Sequence, residues 1–193
     1  MEGSPMKKLF VLSAAIAAIA TALGLPANAD DISVTVQVCT IVPRVDDNGV
    51  NYGSLPFSAS AANPTKRNTV VGDVNGGALE TQTVFNDGSC PANVLIKSGN
   101  AVPISGTSWS LVTCATIGAD SFGHQYEIGN VGSVFNGVDL TSNLIDTGAN
   151  LSPGDGLDQS GTDQTALDLG ICMPTSGNTA NKTILVTVLM TAQ

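Results

Sequence analysis

The sequence predicts an all-β protein built as an antiparallel β-sandwich. Short segments with an apolar residue at every second position recur along the chain and are separated by Gly-rich and Asn-rich turns. That period is typical of strands with one buried face. Charged residues make up only 12% of the chain, while Gly, Ser, Thr, Asn and Val are abundant. This composition disfavours long amphipathic helices, because Gly and the β-branched residues are poor helix formers.

Residues 1–29 are predicted to lie outside the fold. Lys7 and Lys8 precede a weakly apolar, Ala-rich run over 9–25, and small residues flank a cleavage point before Asp30. This is the pattern of a secretory signal peptide. The alternative is a retained transmembrane helix, because a run of 17 residues reaches the lower limit for a bilayer span. The Ala-rich composition and the cleavage site favour removal.

The remaining residues, 30–193, are expected to form a single secreted β domain. These residues include 5 basic and 15 acidic side chains, which gives a net charge of −10. Such an acidic chain lacks the electrostatic footprint of a nucleic-acid binder, and it would not be drawn to an anionic membrane surface. We expect no membrane association after cleavage, and an extracellular or cell-surface location.

Four cysteines lie in this domain, and an even count in an exported chain favours two disulfide bonds. No Cys-x-x-Cys pair is present, so a zinc site is not indicated. Three pairings are open. We expect one bond between neighbouring strands on either side of a turn near 99–106, and a second between the opening strand and the region before the last strand. Those bonds would join Cys90 to Cys114 and Cys39 to Cys172.

The strands are predicted in order from this alternation. The strongest is the first, over 32–38, and the last, over 183–191, is also clear. The longest loop is expected over 141–165, which is rich in Asp, Asn, Gly, Ser and Thr. Further strands are predicted at 50–55, 78–86, 93–97, 109–114, 125–128 and 167–173, with one or two more over 131–140.

The first strand admits two interpretations. Residues 31–40 either pair inside their own domain or leave it and complete the sheet of another copy, received by an edge near the closing strands. Strand addition of this kind joins chains through main-chain hydrogen bonds, while alternate side chains supply specificity. Head-to-tail donation produces a filament when the rotation between copies does not close. The residues that would enter the neighbouring sheet are Ile32, Val34, Val36 and Val38.

Catalysis is not indicated. His124 is the one histidine, and no nucleophile motif or metal-protease pair accompanies it. It is expected on a strand face or in a loop. Glu80 and Glu127 are the two glutamates after residue 29, and the aspartates mostly sit in turns, which their side chains stabilise. Trp109 is expected in the core because an indole buries a large area.

The acidic loop is the best ligand candidate in the sequence. Its carboxylates offer the oxygen ligands that calcium prefers, although their spacing does not follow the EF-hand pattern. The alternative is a solvated acidic loop, and no other cofactor is indicated. The candidate calcium ligands are Asp155, Asp158 and Asp163, with Asp168, Asp139 and Asp146 as neighbours in sequence.

Several stretches resemble exported jelly-roll surface proteins, a group that includes camelysin-type biofilm fibre proteins and WxL cell-surface domains. The resemblance lies in Val50-Asn-Tyr-Gly-Ser-Leu55, the hairpin over 83–96, the triplet Trp109-Ser-Leu111, and Leu169-Gly-Ile-Cys-Met-Pro174. It implies a jelly-roll fold and a non-enzymatic surface or matrix protein that assembles by strand exchange. WxL domains carry a second Trp-x-Leu, and this chain has one Trp.

The functional prediction is therefore a structural subunit of an extracellular filament, a pilus-like (fimbrial) fibre or a cell-surface layer, a homopolymer joined by strand donation. The alternative is a secreted monomeric adhesin or carbohydrate-binding sandwich that uses the loops at one end.

Overall fold

A computed structural model describes residues 39–46, 49–76, 81–129, 132–154 and 161–193. Regular structure in these ranges is β apart from one 3-10 turn, Cys114–Thr116, which confirms the all-β prediction. The strands are β1 (Pro43–Val45), β2 (Lys66–Asn68), β3 (Gln82–Asn86), β4 (Ala92–Pro103), β5 (Ser110–Val112), β6 (Ser121–Ile128), β7 (Val138–Asp139), β8 (Ile145–Leu151), β9 (Gln164–Cys172) and β10 (Lys182–Ala192).

The larger sheet is organised around β9. One edge of β9 pairs with β3 and then with β2, and its other edge pairs with β6. β1 lies outside β3, while β5 and β7 pair with β6. All these pairs are antiparallel except β5 with β6. β9 is therefore the central strand of this sheet.

The smaller sheet has the order β10-β4-β8, and both of its ladders are antiparallel. The β4–β10 ladder runs from Ala92 opposite Ala192 to Pro103 opposite Lys182, with a register shift between Ile184 and Val186. β4 is thus the central strand and β10 one of the two edges.

The two sheets pack face to face, which confirms the β-sandwich. Val94 and Ile96 of β4 pack against Leu167 and Leu169 of β9 in one buried cluster. Burial of such side chains is the main stabilising term for a small domain. Trp109 is 7% exposed and belongs to a second cluster, so its predicted place in the core is confirmed. The second cluster contains Ala101, Trp109, Phe122, Ile171 and Met173.

The prediction of a strand at 50–55 is wrong, since this segment joins neither sheet. Its apolar side chains still point into the core, where Val50, Tyr52 and Leu55 pack against the buried clusters. Gly53 has a φ of 70°, and its N–H bonds to the Asn51 side chain rather than to a strand. The alternation therefore reflects burial without a ladder.

The prediction of a loop over 141–165 is wrong in part, because Ile145–Leu151 forms the strand β8. The Asp-x-Gly signal inside it forms a local irregularity in the strand: Gly148 has a φ of 76° and donates its N–H to Asp146 at 2.9 Å. Turn residues can sit inside a strand when they form a bulge, where a glycine adopts a positive φ.

The cysteine pairing expected from the sequence is wrong, although all four cysteines form disulfides as predicted. The bonds join Cys39 to Cys90 and Cys114 to Cys172. β4 continues through the expected turn to Pro103, so Cys90 and Cys114 do not face each other across a hairpin. Gly123 lies opposite Cys172 in the β6–β9 ladder, and its missing side chain leaves room for Cys114.

The predicted signal peptide, over 6–29 after five upstream residues, and the first predicted strand, over 32–38, lie outside the described residues. Cys39–Gln193 forms one compact unit. In the ranges that the structure describes, no helix is long and apolar enough to cross a membrane.

Candidate assembly interface

β10 is the longest edge strand in the described part of the chain. It has 11 residues and pairs there with β4 alone. After Lys182 it carries neither a charged residue nor a proline up to Ala192. Edge strands of monomeric sandwiches usually carry a charged residue or a proline, because an edge without them is a template for pairing with another chain. β10 carries neither after Lys182.

The other described edges are protected. β1 and β5 have three residues each, β1 begins with Pro43, and its Arg44 forms an ion pair with Asp87 at 2.7 Å. β8 is interrupted by the irregularity at Gly148. Short length, proline, charge and bulges all discourage strand addition. β10 has a register shift of its own between Ile184 and Val186, but it pairs with β4 without interruption from Val186 to Ala192. Its length and the lack of charge and proline after Lys182 distinguish it from the other described edges.

The core is incompletely covered beneath β10. On the central strand, Val94 and Ile96 are each 1% exposed. The side chains of β10 that pack on the same cluster, Val186, Val188 and Met190, are only half-buried. A further strand beside β10 would bury more apolar surface, and apolar burial is favourable by about 25 cal/mol per Å².

The opposite face of β10 carries two exposed leucines. Leu185 is 72% exposed and Leu189 is 41% exposed, and Leu189 lies opposite Leu95 of β4. β10 thus combines an open backbone edge with apolar side chains on both faces.

Cys39, at the start of the described residues, is anchored near the end of β10. Cys39 is bonded to Cys90, with the two Cα atoms 5.5 Å apart. Cys90 lies two residues before Ala92, which faces Ala192 at the end of β10. The Ser89 N–H donates to the Thr40 carbonyl at 2.9 Å, and the Thr40 N–H donates to the Ser89 hydroxyl at 3.1 Å, so the contact beside the β1–β3 pair continues to this point. Cys39, the first described residue, therefore lies beside the end of β10.

Ile32, Val34, Val36 and Val38, the predicted donor residues, precede this anchor and lie outside the described residues. The acceptor was predicted only as an edge near the closing strands. The uncharged run after Lys182 was the signal in the sequence that could have identified β10.

His124 lies on a strand face, as expected, and is enclosed by the sandwich. It is 1% exposed on β6. Its Nδ1 is 2.8 Å from the Ser98 hydroxyl and its Nε2 is 3.0 Å from the Tyr52 hydroxyl. Burial lowers the pKa of His124 to about 4 and raises that of Tyr52. The sequence did not indicate Ser98 and Tyr52 as its partners, because they are 26 and 72 residues away.

The proposed calcium ligands are only partly described. Asp163 is 6% exposed, whereas Asp155 and Asp158 lie outside the described residues. Within the described ranges, no group of three or more His, Cys, Asp or Glu side chains could hold a metal ion.

The neighbouring aspartates make hydrogen bonds within the protein. Asp168 accepts from Thr69 at 2.7 Å and from Thr81 at 2.6 Å. Asp139 accepts from the Cys114 N–H and from Gln125, and Asp146 accepts from Gly148.

Of the two glutamates after residue 29, only Glu127 lies within the described residues. Glu127 accepts a hydrogen bond from the Asn136 N–H at 2.8 Å. Glu80 lies outside the described residues.

Comparison with protein-family models, with curated proteins and with solved structures finds no match to this chain.

Proposed function

We propose that this chain is an exported structural subunit of an extracellular filament, pilus-like fibre or cell-surface layer. Residues 31–40 of one copy would add to β10 of the next. The observation that carries the proposal is the edge of β10, which is uncharged after Lys182, pairs with no second described strand and runs without interruption from Val186 to Ala192.

Export is part of the proposal. A signal peptide cleaved before Asp30 would deliver the chain to an oxidising compartment, and the two disulfides fit such a compartment. The sandwich would then belong to the jelly-roll type, and its function would be assembly rather than catalysis. The enclosure of His124 supports a non-enzymatic function, since a buried imidazole cannot reach a substrate.

The donor strand and the acceptor edge are chemically matched. Ile32, Val34, Val36 and Val38 form one apolar face, and β10 offers a half-covered apolar core beside its open edge. Main-chain hydrogen bonds would supply affinity, and the alternating side chains would set the register.

The disulfide at Cys39 favours pairing with a neighbour. Cys39 is held near Ala192, so a strand that folded back onto its own β10 would have to run parallel to it. Parallel pairing is slightly less stable per residue than antiparallel pairing. A strand from a second copy can approach in the antiparallel direction. In such a polymer, the same disulfide would fasten the base of each donor strand to its own domain.

The test compares charged substitutions on the two faces of the donor strand in the protein that begins at Asp30. Val34→Asp with Val36→Asp places two carboxylates on the apolar face, and Ser33→Asp with Thr35→Asp places them on the polar face. Electron microscopy and sedimentation should show polymers for the unmodified protein and for the polar-face control, and monomers for the apolar-face variant. Equal assembly by both variants would contradict donation by this strand.

A truncation that begins at Cys39 tests the acceptor. It keeps the disulfide to Cys90 and removes the donor, so it should remain monomeric. A synthetic peptide of residues 30–38 should bind to it and protect β10 amides from hydrogen exchange. If the peptide protects no β10 amide, β10 is not the acceptor edge.

A further inference from the structure

A polar cavity of about 390 Å³ lies on the face of the larger sheet that points away from the sandwich core. Its floor includes Gln125 of β6 and Gly170 of β9. Its walls come from β2 and the turn that follows it, and from the segment around Phe135. The volume lies within the range of small-molecule sites, about 300–1,000 Å³.

Asp73 holds the two walls together. One carboxylate oxygen accepts the Phe135 N–H at 2.9 Å. The other accepts the Asn75 N–H at 2.7 Å and the Asn68 side-chain amide at 3.0 Å. Burial acts to raise the pKa of Asp73, but these hydrogen bonds and the charge of Lys66 together lower it. The walls are thus positioned before any ligand arrives.

The Phe135 ring is set by two glycines. A Cβ atom at Gly170 or at Gly137 would collide with the ring, so the ring lies directly against the backbone at both positions. It forms an aromatic surface beside polar groups in the same cavity. Such a combination of one ring and several amides suits a ligand with both an apolar face and hydroxyl groups.

Several polar groups of the lining have hydrogen-bonding capacity that the described residues do not use. The Nε2 of Gln125 donates to Asp139 at 2.9 Å, which leaves its Oε1 as an open acceptor. The Asn75 side chain, the Asn136 Oδ1 and the Lys66 Nζ accept or donate no hydrogen bond in the part of the chain that is described. Amides and an ammonium group together offer donors and acceptors, as hydroxyl groups require.

The charged residues of the lining are the cations Lys66 and Arg67 and the carboxylate Asp73. Lys66 and Asp73 interact electrostatically, and the Arg67 guanidinium turns towards Gly53, where a Cβ would lie 3.8 Å from Nη1. Asp73 already accepts three hydrogen bonds, and a single carboxylate is a weak cation site. Free anions are disfavoured because the chain has a net charge of −9.

From this lining we infer that the cavity binds a neutral saccharide unit, with Gln125, Asn75 and Asn136 bonding its hydroxyl groups and Phe135 contacting its apolar face. The site is separate from β10, so the inference does not depend on the assembly proposal. In an extracellular filament it would give each subunit a glycan-binding position.

The experiment is a titration of the ¹⁵N-labelled protein that begins at Asp30, kept at a concentration where it sediments as a monomer, with cellobiose, maltose and N,N′-diacetylchitobiose in turn, followed by NMR. Calcium chloride and sodium sulfate are separate arms. At least one disaccharide should shift the amides of Gln125, Asn136 and Gly137 in a saturable way, with a Kd near 1 mM, about the weak end of specific binding. Absence of saturable shifts with all three sugars, or binding of either salt at these amides instead, would overturn the inference.

Two variants test the assignment of residues. Gln125→Ala and Asn136→Ala should each weaken sugar binding by about tenfold, the effect of losing roughly one good hydrogen bond. The control is Asn143→Ala, an exposed amide outside the cavity. It should bind as the unmodified protein does. Unchanged binding in both cavity variants, with their folds intact by NMR, would place any sugar site elsewhere.

Discussion

The hydroxyl of Ser98 on β4 lies 2.8 Å from Nδ1 of His124 on β6, so one side-chain hydrogen bond spans the two sheets of the sandwich. The other ring nitrogen faces the Tyr52 hydroxyl at 3.0 Å. Tyr52 comes from the segment that packs into the core without pairing. Three parts of the fold therefore meet at one buried imidazole.

This arrangement predicts a loss of stability in acid. Burial lowers the pKa of His124 to about 4 in the folded protein, against 6.5 as its ordinary value. Between these two pH values the unfolded chain binds a proton that the folded chain does not, so the free energy of unfolding falls as the pH falls. At about 1.4 kcal/mol per pH unit, the loss is about 3 kcal/mol.

Urea unfolding at a series of pH values measures this loss. The control is His124→Gln, which removes the titrating group and keeps an amide able to bond to Ser98. The variant should be less stable at neutral pH but should lack the histidine component of the acid loss. The same pH dependence in both proteins would show that other groups cause it.

Close packing around the second disulfide predicts that Gly123→Ala is destabilising. A Cβ at Gly123 would lie 2.7 Å from the Cα of Cys114 and 2.8 Å from its nitrogen. Since these are backbone atoms, the strand itself must move, and overpacking of this kind costs about 1–3 kcal/mol. The loss is measured by urea unfolding.

Gly99→Ala is the matched control, because Gly99 also lies in a strand. Its Cβ would meet only the Leu185 carbonyl oxygen, at an ordinary 3.6 Å. Its unfolding free energy should change by less than about 1 kcal/mol. Similar losses at Gly123 and Gly99 would contradict the contact with Cys114.

Removal of the Cys114–Cys172 bond should lower stability strongly. The bond joins positions 58 residues apart, and closing a loop of that length contributes about 4 kcal/mol in the chain-entropy model. The double variant Cys114→Ala with Cys172→Ala avoids a free thiol. We expect a lower urea midpoint with near-native circular dichroism in water, and an unchanged midpoint would mean that the bond contributes no net stability.

Asp168 is predicted to stabilise the fold far more than Asp87. Asp168 is 2% exposed and accepts two hydroxyl hydrogen bonds, and bonds to a charged group each contribute about 1.5–3 kcal/mol. Asp168→Asn should therefore cost about 1–3 kcal/mol. Asp87 pairs with Arg44 at the surface, where its side chain is 37% exposed, so Asp87→Asn should cost no more than about 1 kcal/mol. Thermal or urea unfolding of both variants checks the difference, and equal costs would contradict it.

Local patterns account for the elements that could be predicted. The alternation over 183–191 and 167–173 correctly predicts β10 and β9, because the apolar side chains on one face of each strand pack into the core. The same signal misled at 50–55, where alternation reflects side-chain burial without strand pairing. At Ile145–Leu151 the turn-forming Asp146 and Gly148 concealed a strand.

The sequence by itself determined the β class, the burial of Trp109 and the presence of two disulfides, since these follow from composition, short-range periodicity and cysteine count. Only the tertiary structure decided that Cys39 pairs with Cys90, that His124 meets Ser98 and Tyr52, and that β10 is the longest edge strand among the described residues. The reason is that each of these depends on which distant segments the sheets bring side by side, and no local pattern encodes that choice.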